Sequence, residues 1–110
     1  MINIDAGDVV VVHCREPREK VWGVLLRLDQ IGVGVRGMDL GSVEDWLSQE
    51  AKDKERLLGP STFFIPMHRV HRIDLDESTG AVVSIADRYR SACGQSVDVG
   101  LGVNEADRSQ

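Results

Sequence analysis

The residues best suited to chemistry are two histidine clusters, two cysteines and a few isolated carboxylates. His68, Arg69 and His71 fall within four positions of one another, His13 adjoins Cys14, and Cys93 lies far along the chain. Imidazole and thiolate are metal ligands, but zinc sites draw them in closely spaced pairs that converge on one point. No pair of the C-x-x-C type occurs here. On a strand, residues three apart face opposite ways, so His68 and His71 converge only through a turn. The pattern therefore assigns no metal, and Cys14 beside Val12 reads as a small buried hydrophobe.

Asp29 invites an acid–base reading. That chemistry needs a nucleophile, a second carboxylate or a base within hydrogen-bond reach, and no motif places one there. Phosphate-binding loops, nucleophile elbows and dinucleotide fingerprints are also missing, so the chain reads as a binding protein rather than an enzyme, with no cofactor. His68 and Arg69 are the strongest binding candidates. They fall at a turn between strands, where exposed groups ride on a rigid scaffold, and arginine offers both phosphate contact and stacking. An ordinary polar turn at a subunit interface explains the same residues. Trp22 and Trp46 can in principle stack on bases. With aromatics at only 5% of the chain, burial is the simpler role, clearly for Trp46 and less so for Trp22. Arg15, Arg18 and Lys20 alternate with Glu16 and Glu19, the signature of a solvated hairpin.

Composition sets the frame for these residues. At 110 residues and 42% hydrophobic, the chain has material for one domain with a small core. Its formal net charge is −5. Residues 1–76 hold 13 acidic and 10 basic side chains, and residues 77–110 hold 5 and 3, so neither part carries a broad footprint for duplex nucleic acid. A local basic rim on an acidic body stays open. No apolar run approaches the roughly 18 residues of a membrane helix, and the first residues show no cationic-then-apolar leader. Two cysteines make no disulfide framework, which points to a reducing cytoplasm.

The elements that must position these residues follow from periodicity. Val9–Cys14 is rich in β-branched residues and reads as a first strand, which Glu16-Pro17-Arg18-Glu19 ends. A second strand spans Val21–Asp29, with a bend or close approach at Gly23, and a third spans Val33–Met38 after a turn at Gln30-Ile31-Gly32. The pattern then turns helical. Val43, Trp46, Leu47, Ala51 and Leu58 share one stripe, with Ser42 and Asp45 in capping-box positions. Acids lie early (Glu44, Asp45) and bases late (Lys52, Lys54, Arg56), and Gly59-Pro60 stops the helix. One helix over residues 43–57 is expected. Thr62–Ile65 forms a fourth strand, Pro66-Met67-His68 a turn, and Val70–Leu75 alternates as a fifth strand. A short helix over Val82–Ala92 is capped by Gly94. The small, polar, acidic stretch from Gln95 to Gln110 is expected to be a mobile tail. The organisation is thus a β-domain over 1–76 with its inserted helix, a helical extension over 77–94 and the tail.

The stretch Gly7–Asp76 resembles the Sm-like family, which includes the Sm and LSm proteins and the RNA chaperone Hfq. Gly23, Leu25 and Asp29 stand at the spacing of the first Sm motif, followed by an apolar, glycine-bearing strand ending at Gly37. Phe64-Ile65-Pro66-Met67-His68-Arg69-Val70 is similar to the second motif, closest to the Hfq form, with His68 at the pore-side histidine. The resemblance implies a small, strongly bent five-stranded antiparallel barrel. It further implies a homo-oligomeric ring in which the fourth strand of one copy pairs with the fifth of the next. Pairing of sheet edges is also expected on physical grounds. The family binds single-stranded RNA near the pore, which here implicates His68, Arg69, Asp29 and Met67.

The departures fall in that pocket. Ile31-Gly32-Val33-Gly34 replaces the expected asparagine, and Pro66-Met67-His68 the arginine–glycine pair. Met67 stands where Hfq has lysine, and no counterpart of an N-terminal helix precedes Gly7. The inserted helix occupies what is normally a loop. Two expectations follow: RNA binding near the pore, or a protein-assembly module docking through the helix Val43–Arg56 and the region Val82–Ala92.

Overall fold

The computed structural model describes residues 3–52 and 57–103. It is mostly β, with five antiparallel strands and three short helices. The strands are β1 (Val9–Cys14), β2 (Glu19–Leu28), β3 (Gly32–Asp39), β4 (Ser61–Pro66) and β5 (Val70–Leu75). Four of the six residues of β1 are valine, whose stiff χ1 favours extended backbone. The helices are α1 (Val43–Ala51), α2 (Ile85–Cys93) and α3 (Val97–Leu101). Single 3-10 turns at Leu40–Ser42 and Met67–Arg69 lead into α1 and β5.

The strand order is β4-β3-β2-β1-β5, and β4 and β5 are the two edges. The expected barrel is therefore a five-stranded sheet that is not closed within the chain. The short Met67–Arg69 connection delivers β5 to β1 while β4 stays on β3, so consecutive strands end at opposite edges.

Alternation sends side chains to two separate cores. Trp22, Val24 and Met38 face the helices and pack with Trp46, Tyr89 and Leu101. Val10, Val12, Leu25, Val33, Val35 and Ile65 face the other way, joined by Phe63, Met67, Val70 and Ile73 from the edge strands and the turn between them. No described helix contributes to this second core, yet Val10, Val12, Leu25, Val33 and Val35 are 0% exposed. The sheet buries them by curling over itself. The curl centres on a glycine pair: Gly23 lies opposite Gly37, and a Cβ on Gly37 would stand 2.0 Å from the Trp22 carbonyl oxygen.

Three helical expectations need correction. The helix expected over residues 43–57 ends at Ala51, and residues 53–56, with Lys54 and Arg56, lie outside the described residues. Its stripe survives as buried Val43, Trp46 and Leu47, with Leu58 packed behind; Ala51 is exposed. Ser42 makes no capping bond, because it belongs to the 3-10 turn; Asp39 caps that turn instead, accepting from the Gly41 N–H. α2 begins at Ile85 rather than Val82. The Ser84 hydroxyl accepts from the Asp87 N–H at 3.0 Å and sets its start, leaving Val82 and Val83 exposed. Gly94 ends it in the left-handed conformation, as expected.

The stretch from Gln95 is not uniformly a mobile tail. Val97, Leu101 and Val103 are buried against the helical core, and Gly100 faces Tyr89, whose Oη would lie 2.3 Å from a Cβ there. Small residues in this case allow close packing rather than disorder. Residues 104–110 lie outside the described residues.

Candidate functional site

The 3-10 turn carrying His68 and Arg69 meets the β1–β2 hairpin turn at one end of the sheet. Arg69 is the clasp between them. Its Nε donates to the Arg15 carbonyl at 3.2 Å, and one terminal nitrogen donates to the Pro17 carbonyl at 2.9 Å and the Glu19 carboxylate at 3.1 Å. Arg15 reciprocates: its Nε donates to the His68 carbonyl at 3.0 Å and its N–H to the Arg69 carbonyl at 2.8 Å. The Arg69 guanidinium is thus engaged by the protein itself.

The other residues that the resemblance assigned to RNA divide similarly. Asp29 organises its own turn, accepting from the N–H groups of Ile31 at 3.0 Å and Gly32 at 3.3 Å and pairing with Arg27. The Arg27 hydrogen bond, then that of Ile31, holds its carboxyl below the ordinary range. Met67 packs against the second core, and its N–H donates to the Ile31 carbonyl at 2.9 Å. His68 alone is exposed, with no side-chain hydrogen bond to a described residue. Gly23 and Gly37 form the bend, and Leu25 is fully buried beside it.

A cleft of about 260 Å³ opens beside this clasp, lined by His13, Cys14, Arg15, Arg18, Glu19, Lys20 and His71. Sheet register builds it. His13 lies opposite both Lys20 and Arg72, and a bulge between His13 and Cys14 turns out His71. His13 Nε2 donates to Asp74 at 2.8 Å, a carboxylate that Arg72 also holds at 2.8 Å. Burial works against the charged form of Asp74, but the Arg72 and His13 hydrogen bonds prevail and its pKa is lowered. Burial pushes the Cys14 thiol up, with Glu19 adding to it, so the sulfur is a protonated wall rather than a thiolate nucleophile.

The remaining candidates do not converge here. Cys93 lies on α2, and among the described residues no three of histidine, cysteine, aspartate and glutamate are grouped to hold an ion. Trp22 and Trp46 are both 0% exposed. Trp22 donates from its indole to Asp76 at 3.1 Å, and Trp46 stacks on Tyr89 with ring centroids 5.0 Å apart. Neither offers a face to a base.

Two contributors escaped the sequence, and a third, His71, which the sequence offered only as a possible metal ligand, joins the cleft through a bulge against β1. Asp76 accepts from the N–H groups of Ile85 and Ala86 as well as from Trp22, tying α2 to the sheet. Arg36 donates to the Leu101 carbonyl at 2.6 Å, a cation at the end of α3.

No family model, no curated protein and no solved structure matches this chain. Any function rests on the geometry. Among the described residues, no helix is long and apolar enough to cross a membrane.

Proposed function

We propose that this chain is an assembly module of the Sm-like kind, in which copies join edge to edge, β4 of one against β5 of the next, into a ring. The observation that carries the reading is the pair of edges with no partner strand among the described residues, β4 bearing Phe64 with 48% of its surface exposed. Each edge presents a row of backbone donors and acceptors, and natural sheets blunt such rows with charge or cover them. Here β4, Ser-Thr-Phe-Phe-Ile-Pro, carries no charge at all. Ile31, 65% exposed, follows at the same end of the sheet, because the Phe64 ring lies over Gly32. A partner strand adding to β4 pairs the backbone row and covers the phenyl ring. Replacing Phe64 with glutamate is expected to weaken self-association at least about tenfold while circular dichroism stays unchanged. Association insensitive to that charge contradicts the edge pairing.

A second reading, single-stranded RNA near the pore, is favoured by one observation: His68 is exposed, with no side-chain partner among the described residues, on a turn whose backbone bonds to Arg15 and Ile31. A ring multiplies such weak contacts by avidity. Fluorescence anisotropy with oligo-U and oligo-A across a salt series tests it. Binding that weakens with salt and is lost in His68→Ala supports it; no binding at low salt leaves the assembly module alone.

A further inference from the structure

We propose that the cleft between the β1–β2 hairpin and β5 binds a small phosphate-bearing ligand. The argument starts from charge. The protein carries −5 overall, so it has no general attraction for anions, and whatever anion affinity it possesses must be local. Around this cleft the balance reverses. Arg15, Arg18 and Lys20 line it with His13 and His71, against a single carboxylate, Glu19. That carboxylate is already paired with Arg69 at 3.1 Å. Asp74, which touches the cleft residue His13, is held by Arg72 and His13 together.

The lining side chains are also free to donate. Arg18, Lys20 and His71 make no side-chain hydrogen bond or ion pair with a described residue, and all three are exposed. Arg15 spends only its Nε, on the His68 carbonyl, so both terminal nitrogens are left. Two guanidinium groups and an ammonium around one concavity suit an oxyanion with several acceptor oxygens, where charge-assisted bonds are strongest. The framework is preorganised, because the Arg69 clasp fixes the hairpin turn and ladder pairing fixes His13 against Lys20.

Size and surroundings select a small ligand over a nucleic acid strand. About 260 Å³ lies just below the usual range of ligand pockets and accommodates a phosphate with a small body. A single-stranded nucleic acid site strings broad stacking faces along an extended groove, and no phenylalanine, tyrosine or tryptophan lines this small concavity.

Titration of the isotope-labelled full chain with inorganic phosphate, and separately with adenosine monophosphate, tests the proposal by amide chemical shifts. Saturable shifts confined to His13–Lys20 and the region of His71 are expected, with a dissociation constant of about 1 mM or tighter for at least one probe. The pair Arg18→Gln with Lys20→Gln should weaken binding at least about tenfold, whereas Arg88→Gln, on the distant α2, should leave it unchanged. Well-dispersed amide spectra establish that each variant folds. Shifts that never saturate, that scatter over the surface, or that survive the double variant overturn the proposal. So does saturable oligo-U binding at the cleft with neither small probe binding, since the ligand would then be a nucleic acid. Because His71 lies on the β5 edge, the titration is repeated on Phe64→Glu, where the same saturable shifts are expected whether or not copies assemble.

Discussion

Arg69 and His68 are neighbours with opposite fates, and the difference is a matter of unmet donors. Arg69 satisfies three acceptors of the β1–β2 turn, two of them backbone carbonyls, and its side chain is only 22% exposed. Arg69→Ala leaves those carbonyls without their donor and should cost about 2 kcal/mol in urea unfolding. His68→Ala should stay within about 0.5 kcal/mol, as expected of an exposed side chain away from any network. Equal effects would mean that the clasp is not structural. Acid should act through Asp74 and Asp29, whose folded pKa values lie below their ordinary 3.8. A carboxylate with a depressed folded pKa contributes stability above its unfolded value and loses it as pH falls through the folded one. The urea midpoint is therefore expected to be level from neutral pH down to about 5 and to fall below about 4. Asp74→Asn should flatten that fall, and an unchanged acid slope would remove Asp74 from the account.

At the scale of elements, α3 separates what was legible in the sequence from what was not. The strands were readable because valine-rich and alternating runs have a period that survives any partner, and even Gly23 announced its bend. α3 has five residues, Val-Asp-Val-Gly-Leu, too few for a period, and its glycine suggested looseness. Only the fold reveals that this glycine admits Tyr89 and that Arg36, 65 residues earlier in the chain, holds the carbonyl of Leu101. Leu101→Ala should accordingly cost roughly 2–4 kcal/mol, where a mobile tail would register nothing. Equilibrium unfolding decides between them. The candidate site was half legible for the same reason. Arg15, Arg18 and Lys20 are close in sequence and were visible as a basic cluster. His71 reaches them only through strand pairing, and the engagement of Arg69 depends on carbonyls more than fifty positions away.

On the scale of the whole molecule, one sheet serves two cores and leaves two edges. The helices cover the outer face, the curl buries the inner one, and β4 and β5 end the sheet as edges with no further strand beside them among the described residues. Edge pairing between copies, as proposed above, would satisfy the backbone groups of those edges and cover Phe64, while the cleft at the hairpin end shares His71 with the β5 edge. The most direct test is the mass of the full chain by sedimentation equilibrium at micromolar concentration. Edge-to-edge assembly predicts a closed multiple of 12.1 kDa that Phe64→Glu reduces toward the single chain. A species of 12.1 kDa throughout, unchanged by that substitution, would contradict it.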